Sequence, residues 1–153
     1  RNANGGGVMV YVREDIPSKL LNKHKFNPDI ESMFIEINLR KAKWLLFSAY
    51  HPPSQNMEYF FEAVSLGLDK YISDFDRIVL AGDFNCQDSD SKLQDFLDKY
   101  NFANLVKEPT CFKSIANPSC IDLIITNKDK CFYKPKTFSS GLSDFHKMVL
   151  TVF

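Results

Sequence analysis

An unbroken apolar run, Ile78-Val79-Leu80-Ala81, ending at Gly82-Asp83-Phe84-Asn85, constrains this chain more than any other feature. Four consecutive apolar residues describe a strand buried on both faces. The chain then breaks at a glycine and presents a carboxylate and a carboxamide, two residues apart, at the strand's C-terminal edge. Open α/β sheets commonly place their ligands at such edges. A negative oxygen beside a neutral amide suits a site that holds a metal or activates water while tolerating a phosphate. Taken alone, the four residues read more simply as a strand ending in an Asx-type turn, because Asp and Asn both favour turns. The segments that accompany them decide between the two.

The surrounding pattern is mixed α and β. Residues 7–13 alternate and predict a strand, stopped by Asp15-Ile16-Pro17, and residues 18–28 read as a polar connecting loop. Met33, Ile35, Ile37 and Leu39 recur every second residue, so a half-buried strand is expected there, with Glu36 and Asn38 facing away. Lys41-Ala42-Lys43 then reads as a turn into the strand Trp44-Leu45-Leu46-Phe47, giving an antiparallel pair. Phe60, Val64, Leu68 and Tyr71 repeat at helical spacing across residues 56–72, with Phe61 and Leu66 widening the stripe. Ser54 is the expected N-cap, and Glu58 suits the helix dipole. A shorter helix is expected over residues 91–100, with Leu93, Phe96 and Leu97 on one face. Residues 112–118 and 127–135 read as exposed loops, and residues 148–153 as a terminal strand.

At 153 residues and 44% apolar content the chain supports one domain around one core, spanning residues 1–153. No apolar stretch approaches the roughly 20 residues of a membrane span, so no membrane partner is expected. Nor do residues 1–7 contain the apolar segment of a secretory leader. The opening, a Gly-rich turn without a Met, reads as a fragment whose natural N-terminus lies upstream. Nineteen basic residues against nineteen acidic give no global field toward nucleic acid. That speaks against a DNA-coating protein and leaves room for an enzyme with few, local phosphate contacts. Cys86, Cys111, Cys120 and Cys131 form no CxxC pair, which speaks against a zinc ribbon. Two of them sit next to strand or motif residues, which suggests small buried fillers in a reducing compartment; a metal cluster of Cys111, Cys120 and Cys131 with a histidine is the lesser alternative. His24 and His51 read as surface residues.

Asp122 asks for a partner on physical grounds. It sits in Ile121-Asp122-Leu123-Ile124-Ile125, where a lone buried carboxylate would cost several kcal/mol. Strand parity puts Ile121, Leu123 and Ile125 on one face and Asp122 with Ile124 on the other. An exposed strand face or a backbone cap would remove the need.

Four segments in order carry a resemblance. They are Ser48-Ala49-Tyr50-His51-Pro52-Pro53, Gly82-Asp83-Phe84-Asn85, the run Ser119-Cys120-Ile121-Asp122 through Asn127, and Gly141-Leu142-Ser143-Asp144-Phe145-His146. Together they resemble the endonuclease/exonuclease/phosphatase superfamily, in particular the endonuclease domain of non-LTR retrotransposons. Gly5-Gly6-Gly7 through Val12, Glu31 through Ile37, and Glu108-Pro109-Thr110 are similar to the same branch. The fold this implies is α+β, a four-layered sandwich of two packed, mostly antiparallel sheets with outer helices. The family's first strand and helix look absent, so the chain would be the C-terminal two-thirds of the family domain.

The resemblance also implies roles. Asp83 would orient or deprotonate water, and Asn85 would hold a phosphate oxygen or that water. Asp122 would orient a histidine aimed at the scissile phosphate. Asp144 would touch the metal, as would Asp83, and His146 would stabilise the charged phosphorane. Phe145 separates Asp144 from His146 where the family has them adjacent. In extended backbone that one-residue slip would turn the ring to the opposite face. Tyr50 would contact the phosphate through its hydroxyl, and Thr110, Phe112 and Asn117 would approach the DNA groove.

The implied cofactor is Mg²⁺ or Mn²⁺. The similar enzymes hold it chiefly through an early glutamate, for which this sequence has no match, so weakened metal binding is expected. The reading is therefore a metal-dependent phosphodiester hydrolase, a DNA-nicking endonuclease of a retroelement with little or no turnover as this fragment. DNA would be its substrate, a reverse transcriptase domain would belong to the parent polypeptide, and the fragment would be a monomer. Its location would be intracellular, and nuclear if chromosomal DNA is the target. The alternative is a non-catalytic scaffold of the same fold that binds nucleic acid or protein.

Overall fold

The computed structural model describes residues 7–22, 27, 29–141 and 143–152. Six strands form the main sheet: β1 (Ser18–Leu20), β2 (Glu31–Leu39), β3 (Ala42–Tyr50), β4 (Arg77–Asp83), β5 (Ala103–Asn104) and β6 (Asp122–Thr126). Their spatial order is β1-β2-β3-β4-β6-β5. β3 and β4 run parallel, and every other neighbouring pair is antiparallel. Parallel pairing needs a crossover, which helix α1 (Met57–Leu68) supplies. Helix α2 (Ser91–Tyr100) packs beside it. Strands β7 (Lys136–Phe138) and β8 (Met148–Leu150) make a separate two-stranded sheet. The fold is α+β, as the sequence implies. Both α-helices contribute to the core on one face of the main sheet, and no further α-helix occurs among the described residues to cover the small sheet.

The core forms where the helices meet the main sheet. Phe34, Phe47, Phe60 and Phe84 are fully buried there with Leu45, Leu80, Leu93, Leu123 and Ile125. Each such side chain contributes on the order of 2 kcal/mol by leaving water. Ring pairs extend the contact, Phe34 to Phe47 at 4.5 Å and Phe61 to Phe96 at 4.9 Å between centroids. Phe34 lies on the strand face opposite the Met33-Ile35-Ile37-Leu39 row, so β2 buries residues on both sides.

Several local expectations need correction. Residues 7–13 are not a strand: Met9 and Tyr11 are largely exposed, and no described strand pairs with them. Alternation marks an extended chain, but only a ladder of hydrogen bonds makes a strand. Residues 18–20, read as loop, do find such a ladder along β2. The β2–β3 turn lies at Arg40-Lys41, one residue earlier than expected. Both residues take positive φ, 50° and 62°, closing the Leu39–Ala42 pair. This two-residue hairpin normally carries Asn or Gly, so its composition conceals it. Helix α1 is capped by Asn56, whose side chain accepts from Tyr59 N at 3.0 Å, and not by Ser54. It ends at Leu68, and Leu66 is 65% exposed and outside the apolar stripe. Helix α2 matches its expected bounds, capped by Asp90 and ended by Asn101 in the left-handed region. The terminal strand stops at Leu150. Gly5, Gly6 and His24 lie outside the described residues.

Candidate active site

Strands β4 and β6 bring the two strongest candidates together. Asp83 and Asp122 are direct cross-strand partners, so their side chains share a face. Leu80, Leu123 and Ile125 belong to the helix-side core, which puts the two acids on the other face of the sheet. There they line a cleft of about 320 Å³ with Ala81, Ile124, Lys147 and Val149. The cleft thus lies between the main sheet and the β8 end of the small one. Tyr50 ends β3 in register with Asp83. It also stands at the C-terminal edge of the parallel pair, where the run of four apolar residues predicts a ligand site.

The loop after β4 is braced from below. Asp83 Oδ1 accepts from Asn85 N at 3.1 Å, so the Asx turn read from the four residues does form. It forms at the cleft, and the two readings of the motif are compatible. Asn85 takes φ 47°, which Asn tolerates better than most residues, and its Nδ2 donates to His51 O at 2.7 Å. Phe84 between them is fully buried against Phe60 and donates its N–H to Ile121 O. His51 is not a surface residue. It is 2% exposed, with Nδ1 3.0 Å from Phe84 O and Nε2 3.0 Å from Gln55 O. Its backbone N–H also donates to Asp83 O. Burial pushes the imidazole below its ordinary pKa, against the pull of the two carbonyls and Asp90. His51 therefore ties the proline turn after β3 to the Asp83 loop. The proline turn makes such a residue look solvent-facing in sequence, because only the fold supplies the two carbonyls.

Asp83 is the electrostatically stressed member. Burial first, and then the Asp122 carboxylate opposite, hold its pKa above the usual carboxylate range; the Asn85 N–H, His146 and Lys113 pull the other way. Asp122 carries its own mark, since its Oδ2 is buried and accepts no hydrogen bond among the described residues. His146 Nδ1 lies 4.0 Å from that oxygen. The Phe145 insertion is absorbed by a turn. Ser143 Oγ accepts from the N–H of Phe145 and of His146, Phe145 turns 52% exposed to solvent, and His146 re-enters through a bridge with Cys111. His146 Nε2 then faces Cys111 Sγ at 3.8 Å. Reaching a phosphate through Nε2 requires the ring to leave the thiol.

Thr110, expected at the DNA groove, is fully buried and cannot touch nucleic acid. Its Oγ1 accepts from the N–H groups of Ile121 and Asp122, both at 3.1 Å, and so seats Asp122 at the start of β6. Thr110→Val keeps the volume and orphans both donors. It should cost about 2–3 kcal/mol, read as a lower urea midpoint at unchanged slope. A loss within about 0.5 kcal/mol would mean water replaces the hydroxyl and that Asp122 is not seated by it. Asn117 is exposed in its loop, as expected. Phe112 is half-buried, with the Lys147 ammonium 4.3 Å over its ring.

Asp144 is exposed, does not line the cleft, and makes no hydrogen bond or ion pair among the described residues. The structure therefore does not bring this expected metal ligand to Asp83. No three His, Cys, Asp or Glu side chains form a metal-holding group among the described residues, which also removes the cysteine cluster. All four cysteines are free; Cys86 and Cys111 are buried, Cys120 partly so, and Cys131 is exposed. Burial pushes the Cys86 thiol up to about 12, as expected of an inert filler. The acids nonetheless fit one hard cation. A Mg²⁺ that keeps most of its waters needs only one or two carboxylates. Asp83 and Asp122 face each other, one stressed and one with a bare buried oxygen, and a shared cation would relieve both.

The profile of a family described as endonuclease-reverse transcriptase matches residues 44–149, more than half of the chain. The chain belongs to that family. Solved structures agree in fold. The endonuclease domain of TRAS1, a telomere-specific non-LTR retrotransposon, superposes with a TM-score of 0.72 at 16% identity, over 90% of this chain and 67% of that one. An endonuclease/exonuclease/phosphatase family protein from Leptotrichia buccalis gives 0.61 at 17%, over 80% and 53%. The human Nocturnin catalytic domain with bound sulfate gives 0.53 at 14%, over 78% and 50%. The chain thus spans between half and two thirds of the length of these structures. No curated protein sequence matches it. An endonuclease family on the endonuclease/exonuclease/phosphatase fold is consistent with phosphodiester hydrolysis. No described helix is long and apolar enough to cross a membrane.

Proposed function

We propose that this chain is the catalytic face of a DNA-nicking endonuclease of a retroelement, acting with Mg²⁺ or Mn²⁺ held by Asp83 and Asp122. The observation that carries this reading is the cross-strand acid pair, with its bare Asp122 oxygen 4.0 Å from His146 Nδ1. Bound metal would supply positive charge to the phosphate oxygens. The remaining chemistry belongs to the side chains. Asp83, buried opposite the Asp122 carboxylate, is placed to orient, or take a proton from, water aligned for in-line attack. Asn85 fixes the loop that carries it. His146, oriented by Asp122, would meet the charge that develops on the phosphate once its ring turns away from Cys111. Tyr50, beside Asp83, would add a hydroxyl donor.

The test is conversion of supercoiled plasmid to open circle, with Mg²⁺ and with EDTA. Slow, metal-dependent nicking is expected from the purified chain, and none from Asp83→Ala. The exposed Asp144 and the Cys111 contact on His146 favour a second reading, a scaffold without turnover. That reading stands if neither wild type nor Asp83→Ala nicks and Mg²⁺ raises the melting temperature of neither.

A further inference from the structure

Lys147 combines three observations that no role above uses. It lines the same cleft as Asp83 and Asp122. Its ammonium rests 4.3 Å over the face of Phe112. Among the described residues it has no carboxylate within ion-pair distance, although two carboxylates line its cleft. Its backbone is fixed as well, with Lys147 N donating to Thr110 O at 2.8 Å and Phe112 N to Phe145 O at 2.7 Å. These bonds flank the Cys111–His146 bridge, so the Lys147 backbone is held in register with His146. Glu108, the nearby acid that feels the Lys147 charge, is already engaged by the N–H and hydroxyl of Thr137 at 3.2 and 3.0 Å.

A half-buried ammonium on an aromatic face loses some hydration there and keeps its N–H donors on the open side. Resting on Phe112 at the rim of the cleft, with no carboxylate in ion-pair reach among the described residues, such a group lacks one thing, an anion with several acceptor oxygens. We propose that Lys147 anchors a backbone phosphate of the polynucleotide, and that Phe112 serves as the platform holding the ammonium in place. This deepens the endonuclease reading and rests on it. One face of Phe112 is covered by the lysine, so this ring positions a cation and does not stack on a base from that side. Lys113, exposed next to Phe112, adds a second cation whose charge Asp83 feels.

Fluorescence anisotropy of a labelled DNA duplex, in EDTA and across a KCl series, tests this. Each phosphate contact adds about 0.9 to the slope of log K against log salt. Lys147→Gln should lower the slope by about that amount and weaken low-salt binding roughly three- to tenfold. Lys147→Arg should restore the slope, which separates charge from a folding defect. Phe112→Leu should weaken binding and leave the slope in place. Lys43→Gln, at the far end of β3, should change neither. A Lys147→Gln slope equal to wild type overturns the assignment while leaving the endonuclease reading intact. Absence of salt-dependent DNA binding by wild type refutes that reading and this inference with it. Inorganic phosphate at matched ionic strength should compete with DNA on wild type and less on Lys147→Gln; phosphate that binds through Lys147 without displacing any DNA would show a free-phosphate site and overturn the polynucleotide assignment.

Discussion

Replacing Gly82 by alanine should cost about 3–5 kcal/mol and lower the melting temperature by roughly 10 °C. A Cβ built on Gly82 would run into the backbone carbonyl oxygen of Ala49, with the carbonyl carbon at 3.0 Å and the amide nitrogen at 3.2 Å. Those atoms belong to β3, which pairs in parallel with β4 through Ala49 and Gly82. A side chain in that position could rotate aside, but a strand cannot move without breaking the ladder on both of its edges. Gly82 also has φ +159°, a backbone conformation that L side chains rarely adopt, so alanine must either twist β4 out of this conformation or push β3 and β4 apart. Either change would disturb Phe84 and the Tyr50–Asp83 register beside the acids. Any residual nicking should vanish with the stability. A variant melting within about 2 °C of wild type would mean that the two strands are not packed at this separation. The end of β4 therefore has a glycine because its positive φ would aim a Cβ at the carbonyl of Ala49 on the neighbouring strand.

Asp83→Asn should abolish nicking and at the same time stabilise the metal-free protein. The sign follows from linkage. The folded-state pKa of Asp83 is raised, by burial and by Asp122. A raised carboxyl favours the protonated native state. Its stabilising contribution is present below the unfolded-state pKa and is lost as pH rises through the folded one. At neutral pH the ionised side chain is thus a net burden, and asparagine removes it. Asparagine also keeps an oxygen in place of Oδ1 to accept from Asn85 N. A rise in melting temperature of about 1–3 °C at neutral pH is expected, shrinking toward zero in acid. Loss of the general base should lower turnover by about 10²–10⁴. Mg²⁺ should raise the melting temperature of wild type and have less effect on the variant. An Asp83→Asn protein less stable than wild type at neutral pH would show that the acid pair is not strained, and would remove the reason for a cation there.

Much of this could be read from particular residues. The four-residue apolar run placed β4, and the period of Leu93, Phe96 and Leu97 placed α2 residue for residue. The isolated charge in Ile121-Asp122-Leu123 correctly implied a carboxylate on the face away from the core. The reading failed where a residue's role depends on partners distant in sequence. His51 looks like a surface histidine until the carbonyls of Phe84 and Gln55 close on it. Thr110 looks like a loop contact until β6 starts against its hydroxyl. The strand of residues 7–13 has the right alternation and no described neighbour to pair with.

The sequence alone determined the elements that hydrophobic period and chain breaks specify, and through its ordered motifs the family. Those signals are local, written within one turn of helix or one strand. Tertiary structure decided which acids meet, that Asp83 faces Asp122, that a turn at Ser143 recovers His146 from the Phe145 insertion, and that Lys147 enters the cleft. These depend on register and on how a small sheet seats against a large one. Backbone hydrogen bonds between strands far apart in the chain fix that register, and no short stretch of sequence encodes it.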